Sequence, residues 1–192
     1  MSELNLCLVH YPILGKDGRI ISTAVTNLDI HDIARTCRTY DVNNYYMITN
    51  LPAQQQIIKN VLDYWLNGPG KGQNPSRAEA LKLVRLKSYI EEMVEEVKER
   101  TGDKPLMFFT SAKRAENTVS YEEGKRIIRK SRRAVCLIFG TGWGLPREIE
   151  DMCDYRLEPI RGKASYNHLP VRAAVAIILD RLIGEEIPGK EE

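Results

Sequence analysis

A chain of 192 residues, 43% hydrophobic and 28% charged with a formal net charge of +2, has the balance of one globular domain, expected to span 1–192. That balance excludes a disordered or membrane-embedded chain, and so small a net charge does not by itself announce nucleic-acid binding. The four cysteines show no CxxC spacing and the three histidines are scattered, so free thiols of a reducing, cytoplasmic compartment are expected and no metal site is.

In chain order, Leu4 to Val9 is too short for a membrane span and lacks the basic start of a signal peptide, so it is predicted as a buried strand. Arg19 to Val25 reads as extended after a turn at Gly15 to Gly18. Asn27 or Asp29 is expected to cap a helix to about Tyr40, and Tyr45 to Thr49 is the next strand. A helix from Pro52 to Leu66 follows, ended by a loop at Asn67-Gly68-Pro69-Gly70-Lys71-Gly72. Leu81, Val84, Ile90, Val94 and Val97 lie within one long charged helix predicted from about Arg77 to Arg100. Leu106 to Phe109 is a strand ending in Thr110-Ser111-Ala112, Tyr121 to Lys130 a helix, and Ala134 to Phe139 a strand.

This alternation, with continuously apolar later strands, predicts an α/β fold: a mainly parallel sheet with helices on both faces. Ligands of such sheets bind at the carboxyl ends of strands. Three loops sit at such ends: Thr110 to Ala112, Gly140 to Leu145, and Ile160 to Leu169.

The second loop is the most informative, because Leu137-Ile138-Phe139 runs into Gly140-Thr141-Gly142-Trp143-Gly144 and then a helix start at Pro146. Glycine lacks a Cβ and accepts positive φ, so such a turn either brings backbone amides close to a ligand or is a tight strand-to-helix connection. It is no P-loop, since Lys71, Lys125 and Lys163 are followed by Gly72, Arg126 and Ala164. It is one residue short of the GxGxxG dinucleotide fingerprint and lacks a suitably spaced acidic partner.

The polar loop and helix from Leu157 to Leu179 complete a distinctive order of strand, glycine turn, helix, strand, polar loop and helix. The pair resembles the second and third motifs of the SPOUT superfamily, the trefoil-knotted S-adenosylmethionine-dependent RNA methyltransferases. The family's third motif reads Ser-Leu-Asn before small apolar residues; here Ser165-Tyr166-Asn167 is followed by His168-Leu169-Pro170-Val171-Arg172 and then alanines. Its first motif, Asn-x-Gly-x-Ile-x-Arg-Thr, is similar to Asp29-Ile30-His31-Asp32-Ile33-Ala34-Arg35-Thr36, where only Ile33, Arg35 and Thr36 agree. The resemblance covers about residues 4 to 184 and marks a divergent subgroup.

The resemblance implies a C-terminal deep trefoil knot, a homodimer, S-adenosylmethionine as cofactor, and tRNA or rRNA as substrate. It implies a cofactor site at Phe109, Thr110 and Ser111; at Phe139, Gly140, Thr141, Gly142, Trp143, Gly144 and Leu145; and at Ile160, Tyr166, Asn167, His168 and Leu169. Trp143 either shields the adenine or packs at the base of its loop. The catalytic candidates are Arg35, Asp29 and His31. A guanidinium holds its proton above pH 12, so Arg35 suits a phosphate anchor better than a base. Asp29 and His31 are the better bases by chemistry, although Asp29 equally suits a helix cap, and His168 is a further acid–base candidate. The run Lys125, Arg126, Arg129, Lys130, Arg132 and Arg133 is either a phosphate footprint or a solvated helix face, and Arg35, Arg38, Lys113 and Arg114 add to it. Two alternatives stand beside the methyltransferase: a non-catalytic RNA-binding or assembly protein on the same fold, and a small-molecule enzyme on an ordinary Rossmann-like sheet.

Overall fold

Alternating side chains of the first strand all need cover, and that requirement organises the molecule. In the computed structural model, which describes residues 2–113, 115–163 and 166–185, strand β1 (Leu4–Val9) is buried along its whole length. Leu4, Leu6 and Leu8 face one apolar cluster, Cys7 and Val9 the other, as the two-residue period of a strand dictates.

After β1 come the short strands β2 (Ile13–Leu14) and β3 (Ile20–Ile21), helix α1 (Asn27–Thr39), strand β4 (Asn44–Ile48) and helices α2 (Pro52–Leu66), α3 (Gly70–Gln73) and α4 (Pro75–Leu81). Strand β5 (Val84–Lys87), helix α5 (Ile90–Thr101), strand β6 (Leu106–Phe109), helix α6 (Tyr121–Lys130) and strand β7 (Val135–Gly140) follow. Helix α7 (Arg147–Asp151), strand β8 (Tyr155–Arg156) and helix α8 (Val171–Ile183) complete the described chain. Six strands form one sheet in the order β5-β4-β1-β7-β6-β8, and every pairing in it is parallel. β2 and β3 form a separate antiparallel hairpin.

Helices α1, α4, α6 and α8 supply side chains to the cluster that holds Leu6, Leu8, Phe108 and Leu137. Helices α5 and α7 cover the opposite face, where Ile90, Met93, Val97 and Ile149 meet Cys7, Met107 and Ile138. Each fully buried leucine or isoleucine contributes about 1.5–3 kcal/mol relative to exposure. Cys7, Cys37 and Cys136 are buried free thiols, and burial holds all three above the ordinary thiol range.

Three sequence expectations are corrected. The single helix predicted from Arg77 to Arg100 is α4, β5 and α5: Val84 and Leu86 alternate with Arg85 and Lys87, and this run pairs with β4 through Tyr45↔Val84 and Met47↔Leu86. The open edge of β4 decided the conformation, a tertiary preference that helical spacing cannot register, and the charged residues suit an edge strand. The loop expected at Asn67 to Gly72 contains the helical turn α3, packed so closely that a Cβ on Gly70 would lie 2.7 Å from both Trp65 and Tyr64. The cap of α1 is Thr26 rather than Asn27 or Asp29.

At that cap the Asp29 amide donates to Thr26 Oγ1 at 3.2 Å, while the Thr26 amide and hydroxyl donate to Asp29 Oδ2 at 3.0 and 2.7 Å. This is a reciprocal capping box. Thr26→Ala is expected to lower stability by about 1 kcal/mol, read as a shifted urea midpoint at unchanged slope. An unchanged midpoint would show that the cap contributes nothing.

Candidate functional site

Consecutive connections leave the adjacent strands β6 and β7 for opposite faces of the sheet. The chain after β6 passes to α6 on one face, and the chain after β7 passes to α7 on the other. The diverging loops open a crevice at the strands' carboxyl ends, as the rule for open α/β sheets requires. A cavity of about 410 Å³ occupies it, within the size range of small-molecule sites.

All of the predicted cofactor residues except Phe109 and Tyr166 line this cavity. Phe109 is buried at the end of β6, with the Arg156 guanidinium 5.1 Å from its ring centre. Tyr166 points outward, 75% exposed, edge-on to His168 at 5.2 Å. Sequence reasoning had Ala112 in the first strand-end loop but missed Lys113 and Glu158 in the lining, and Val171, Ala174 and Ile178 of α8. The available signal for α8 was its small-residue face, but only the folded chain shows that this face meets the cavity.

The glycine turn is built by sterics. Gly142 and Gly144 have φ of +55° and +106°, and a Cβ on Gly140 would sit 2.7 Å from Leu145 Cγ. A Cβ on Gly142 would lie 3.0 Å from Ile13 Cγ2, whereas one on Gly144 would meet nothing within 4 Å. Two of the loop's amides serve the protein itself: Trp143 N–H donates to Leu14 O at 3.3 Å and Gly144 N–H to Thr141 O at 3.0 Å. The Leu14 amide in turn donates to Gly144 O at 2.9 Å, so the turn is tied to the β2–β3 hairpin.

Behind the turn runs a polar chain absent from the sequence reading. His10 Nδ1 lies 3.1 Å from Thr23 Oγ1, and Thr23 Oγ1 lies 2.5 Å from Thr141 Oγ1. Thr141 Oγ1 donates to Val9 O at 3.2 Å. His10 is fully buried, its Nε2 has no partner, and burial lowers its pKa against the opposing pull of Asp29.

The third loop is clamped against the first. The Glu158 amide donates to Val119 O at 2.9 Å, Glu158 Oε1 accepts from the Tyr121 amide at 3.1 Å, and Asn167 Nδ2 donates to Ala112 O at 3.2 Å. Ser165 of the third motif lies outside the described residues.

Arg35, Asp29 and His31 do not line the cavity. Asp29 is engaged in the capping box, and the His31 ring stands edge-on to Trp65 with centroids 5.8 Å apart. Burial first, and then the Arg77 charge, lower the His31 pKa. Arg35 is exposed in a shallow depression between α1 and α8, beside Asp32, Thr36 and Ala176.

The basic run lies largely away from the cavity, because α6 starts near it and runs back towards the amino ends of the strands. Arg133 bonds to Lys104 O and Pro105 O at 2.8 and 2.9 Å, just before β6, and pairs with Asp154 at 3.5 Å. Arg38 pairs with Glu79 at 2.7 Å, Arg126 pairs with Glu123, and Arg114 lies outside the described residues. Among the described residues no group of three or more His, Cys, Asp or Glu side chains is placed to hold a metal, and no helix is long and apolar enough to cross a membrane.

Solved structures share this fold. The chain superposes on a putative methylase family protein from Neisseria gonorrhoeae with a TM-score of 0.64 at 15% identity, covering 96% of this chain and 83% of that one. It superposes on the SpoU methyltransferase AviRb from Streptomyces viridochromogenes, solved with AdoMet, with a TM-score of 0.58 at 14% identity, covering 98% and 60%. A family model described as SAM-dependent RNA methyltransferase matches residues 3–184, and the chain belongs to that family. An uncharacterized protein of Aquifex aeolicus is 44% identical over 177 residues, 92% of this chain and 86% of that protein. A tRNA (guanine-N(1)-)-methyltransferase of Oleidesulfovibrio alaskensis is 41% identical over 185 residues, 96% of this chain but only 43% of the relative. The chain therefore spans less than half of that relative, whose name describes the whole protein.

The His10 environment makes a pH prediction. Its folded pKa lies below the ordinary value of 6.5, so its contribution is complete above pH 6.5 and is lost as pH falls from there through the folded pKa. Between pH 7.5 and 5.5 wild type is expected to lose more unfolding free energy than His10→Asn, by up to about 1.4 kcal/mol per pH unit below 6.5. Parallel pH profiles from urea titrations would contradict this.

Proposed function

We propose that this chain transfers a methyl group from S-adenosylmethionine to tRNA or rRNA, as a cytoplasmic homodimer of one SPOUT domain with a C-terminal trefoil knot. The observation that carries the reading is the cavity between the β6 and β7 loops, in a chain whose family is that of SAM-dependent RNA methyltransferases. Support for the knot is that the segment after β8 lies against the loop after β6 before α8 turns back onto α1 and α6. Arg35 stands outside its own protomer's cavity, so a role for it at the substrate would require a second copy, and the homodimer is proposed on that ground.

The residues present suit the cofactor: positive-φ Gly144 leaves open space where a side chain would project, and the lining mixes apolar Leu145, Ile160 and Ile178 with Thr110, Glu158 and Lys113. The loops at Gly140–Leu145 and Ile160–Leu169 would hold the adenosine part, with Thr110 near the amino-acid part. Bound there, the sulfonium supplies an already activated methyl group, so this chain mainly aligns donor and acceptor and manages one proton. Asp29 keeps its capping role and His31 its place against Trp65, which leaves His168, in the cavity lining, to take the acceptor's proton. Arg35 of the second copy would anchor an RNA phosphate.

Calorimetric titration with S-adenosylmethionine and with its demethylated product tests this. Saturable binding is expected for wild type, weakened at least about tenfold in Gly142→Val, whose branched side chain suits neither a φ of +55° nor the contact with Ile13. Absence of binding at millimolar cofactor, in a folded protein, would overturn the methyltransferase and leave the RNA-binding alternative.

A further inference from the structure

Three of the ten exposed large apolar side chains among the described residues stand on the loops that border the cavity. Trp143 is 54% exposed on the lip formed by the glycine turn, and Tyr166, 75% exposed, stands with Leu169 on the facing lip formed by the third loop. Ile20 and Ile21, also exposed, lie on the hairpin strand paired to β2, whose Leu14 holds the backbone of Trp143 and Gly144. An indole left half in water loses burial that a packing role would secure. Lys113 is exposed in the cavity lining, and Arg161 and Lys163 are exposed on the third loop. Aromatic faces interleaved with cations around an opening are the surface that unpaired nucleotides select, by base stacking and phosphate attraction.

We propose that Trp143, half-exposed on the lip of the glycine turn, is a stacking platform that takes an unpaired base of single-stranded RNA at the mouth of the cavity. Lys113, Arg161 and Lys163 attract the flanking phosphates. The proposal deepens, and rests on, the methyltransferase reading: an acceptor stacked in a duplex cannot reach a cavity of this kind, so the nucleotide must arrive unpaired. Trp143 is held for this from behind, since two backbone hydrogen bonds to Leu14 fix its turn while its side chain stays outside. The glycines on either side lack side chains that would cover the indole.

Trp143 is one of two tryptophans, so a Trp65→Phe chain reports on Trp143 alone. Its fluorescence is titrated, with the demethylated cofactor at saturation, against a ten-nucleotide unstructured RNA and against a duplex of the same sequence. Saturable quenching is expected at a concentration at least about tenfold lower for the single strand. Trp143→Ala in the wild-type chain is expected to weaken single-strand binding about tenfold or more, measured by anisotropy of labelled RNA, and Trp143→Phe to retain most of it. In the alanine variant the loss of RNA affinity should exceed any loss of calorimetric affinity for S-adenosylmethionine by about threefold or more. Unchanged RNA affinity in Trp143→Ala would overturn the platform. So would an equal loss of cofactor affinity, which assigns the indole to the adenine, or dissociation of a dimer, which assigns the lips to a second copy. A wild-type chain that fails to bind cofactor yet shows strand-selective quenching of Trp143 would overturn the methyltransferase reading and leave the platform standing.

Discussion

The insertion of β7 between β1 and β6 is the constraint on which the remaining structure depends. β7 is paired in register with both neighbours, from Leu4↔Val135 to Val9↔Gly140 on one side and Leu106↔Val135 to Phe109↔Ile138 on the other. Because its apolar residues are buried on both faces, Val135, Leu137 and Phe139 belong to one cluster while Cys136 and Ile138 belong to the other. That central position sends the β6 and β7 connections apart and opens the cavity between them. A strand placed at the edge would have left both loops on the surface with nothing to enclose.

The glycine turn converts this topology into a shaped wall. Gly140 yields space to Leu145, Gly142 to the hairpin residue Ile13, and Gly144 to the cavity, so the three glycines answer three different steric demands. The hairpin then fixes the turn through Leu14, and the His10–Thr23–Thr141 chain fixes it from the core side. Burial lowers the pKa of His10 in that chain, so the fold around it is expected to weaken on the acidic side. The wall, the hairpin and the core are thus tied together around the cavity.

Much of this was legible in the sequence because the relevant signals are local. Leu137-Ile138-Phe139 followed by the glycine cluster identified both a buried strand and the turn at its carboxyl end, and the polar loop from Leu157 pointed to the opposite wall. What escaped depended on tertiary partners. The strand Val84–Lys87 was hidden inside a helical pattern because only the open edge of β4 selects extended backbone there. His10 and Thr23 carry no motif, and they matter only because β1 and the hairpin bring them to Thr141. The basic run of α6 was visible, but its direction was not: Arg133 braces the start of β6 instead of facing the cavity. Asp29 was half legible: its acidic charge early in a helix suggested a cap, but the cap is Thr26, and Asp29 is the partner three residues on that answers it.

The central claim is that the β6 and β7 loops form the cofactor site. Amide chemical-shift mapping of the isotopically labelled chain during titration with S-adenosylmethionine tests it most directly. The account predicts the largest changes at Thr110 to Lys113, Gly140 to Leu145 and Asn167 to Leu169, with the far end of α6 unaffected. Changes concentrated instead in the depression around Arg35, or spread evenly over the chain, would contradict it.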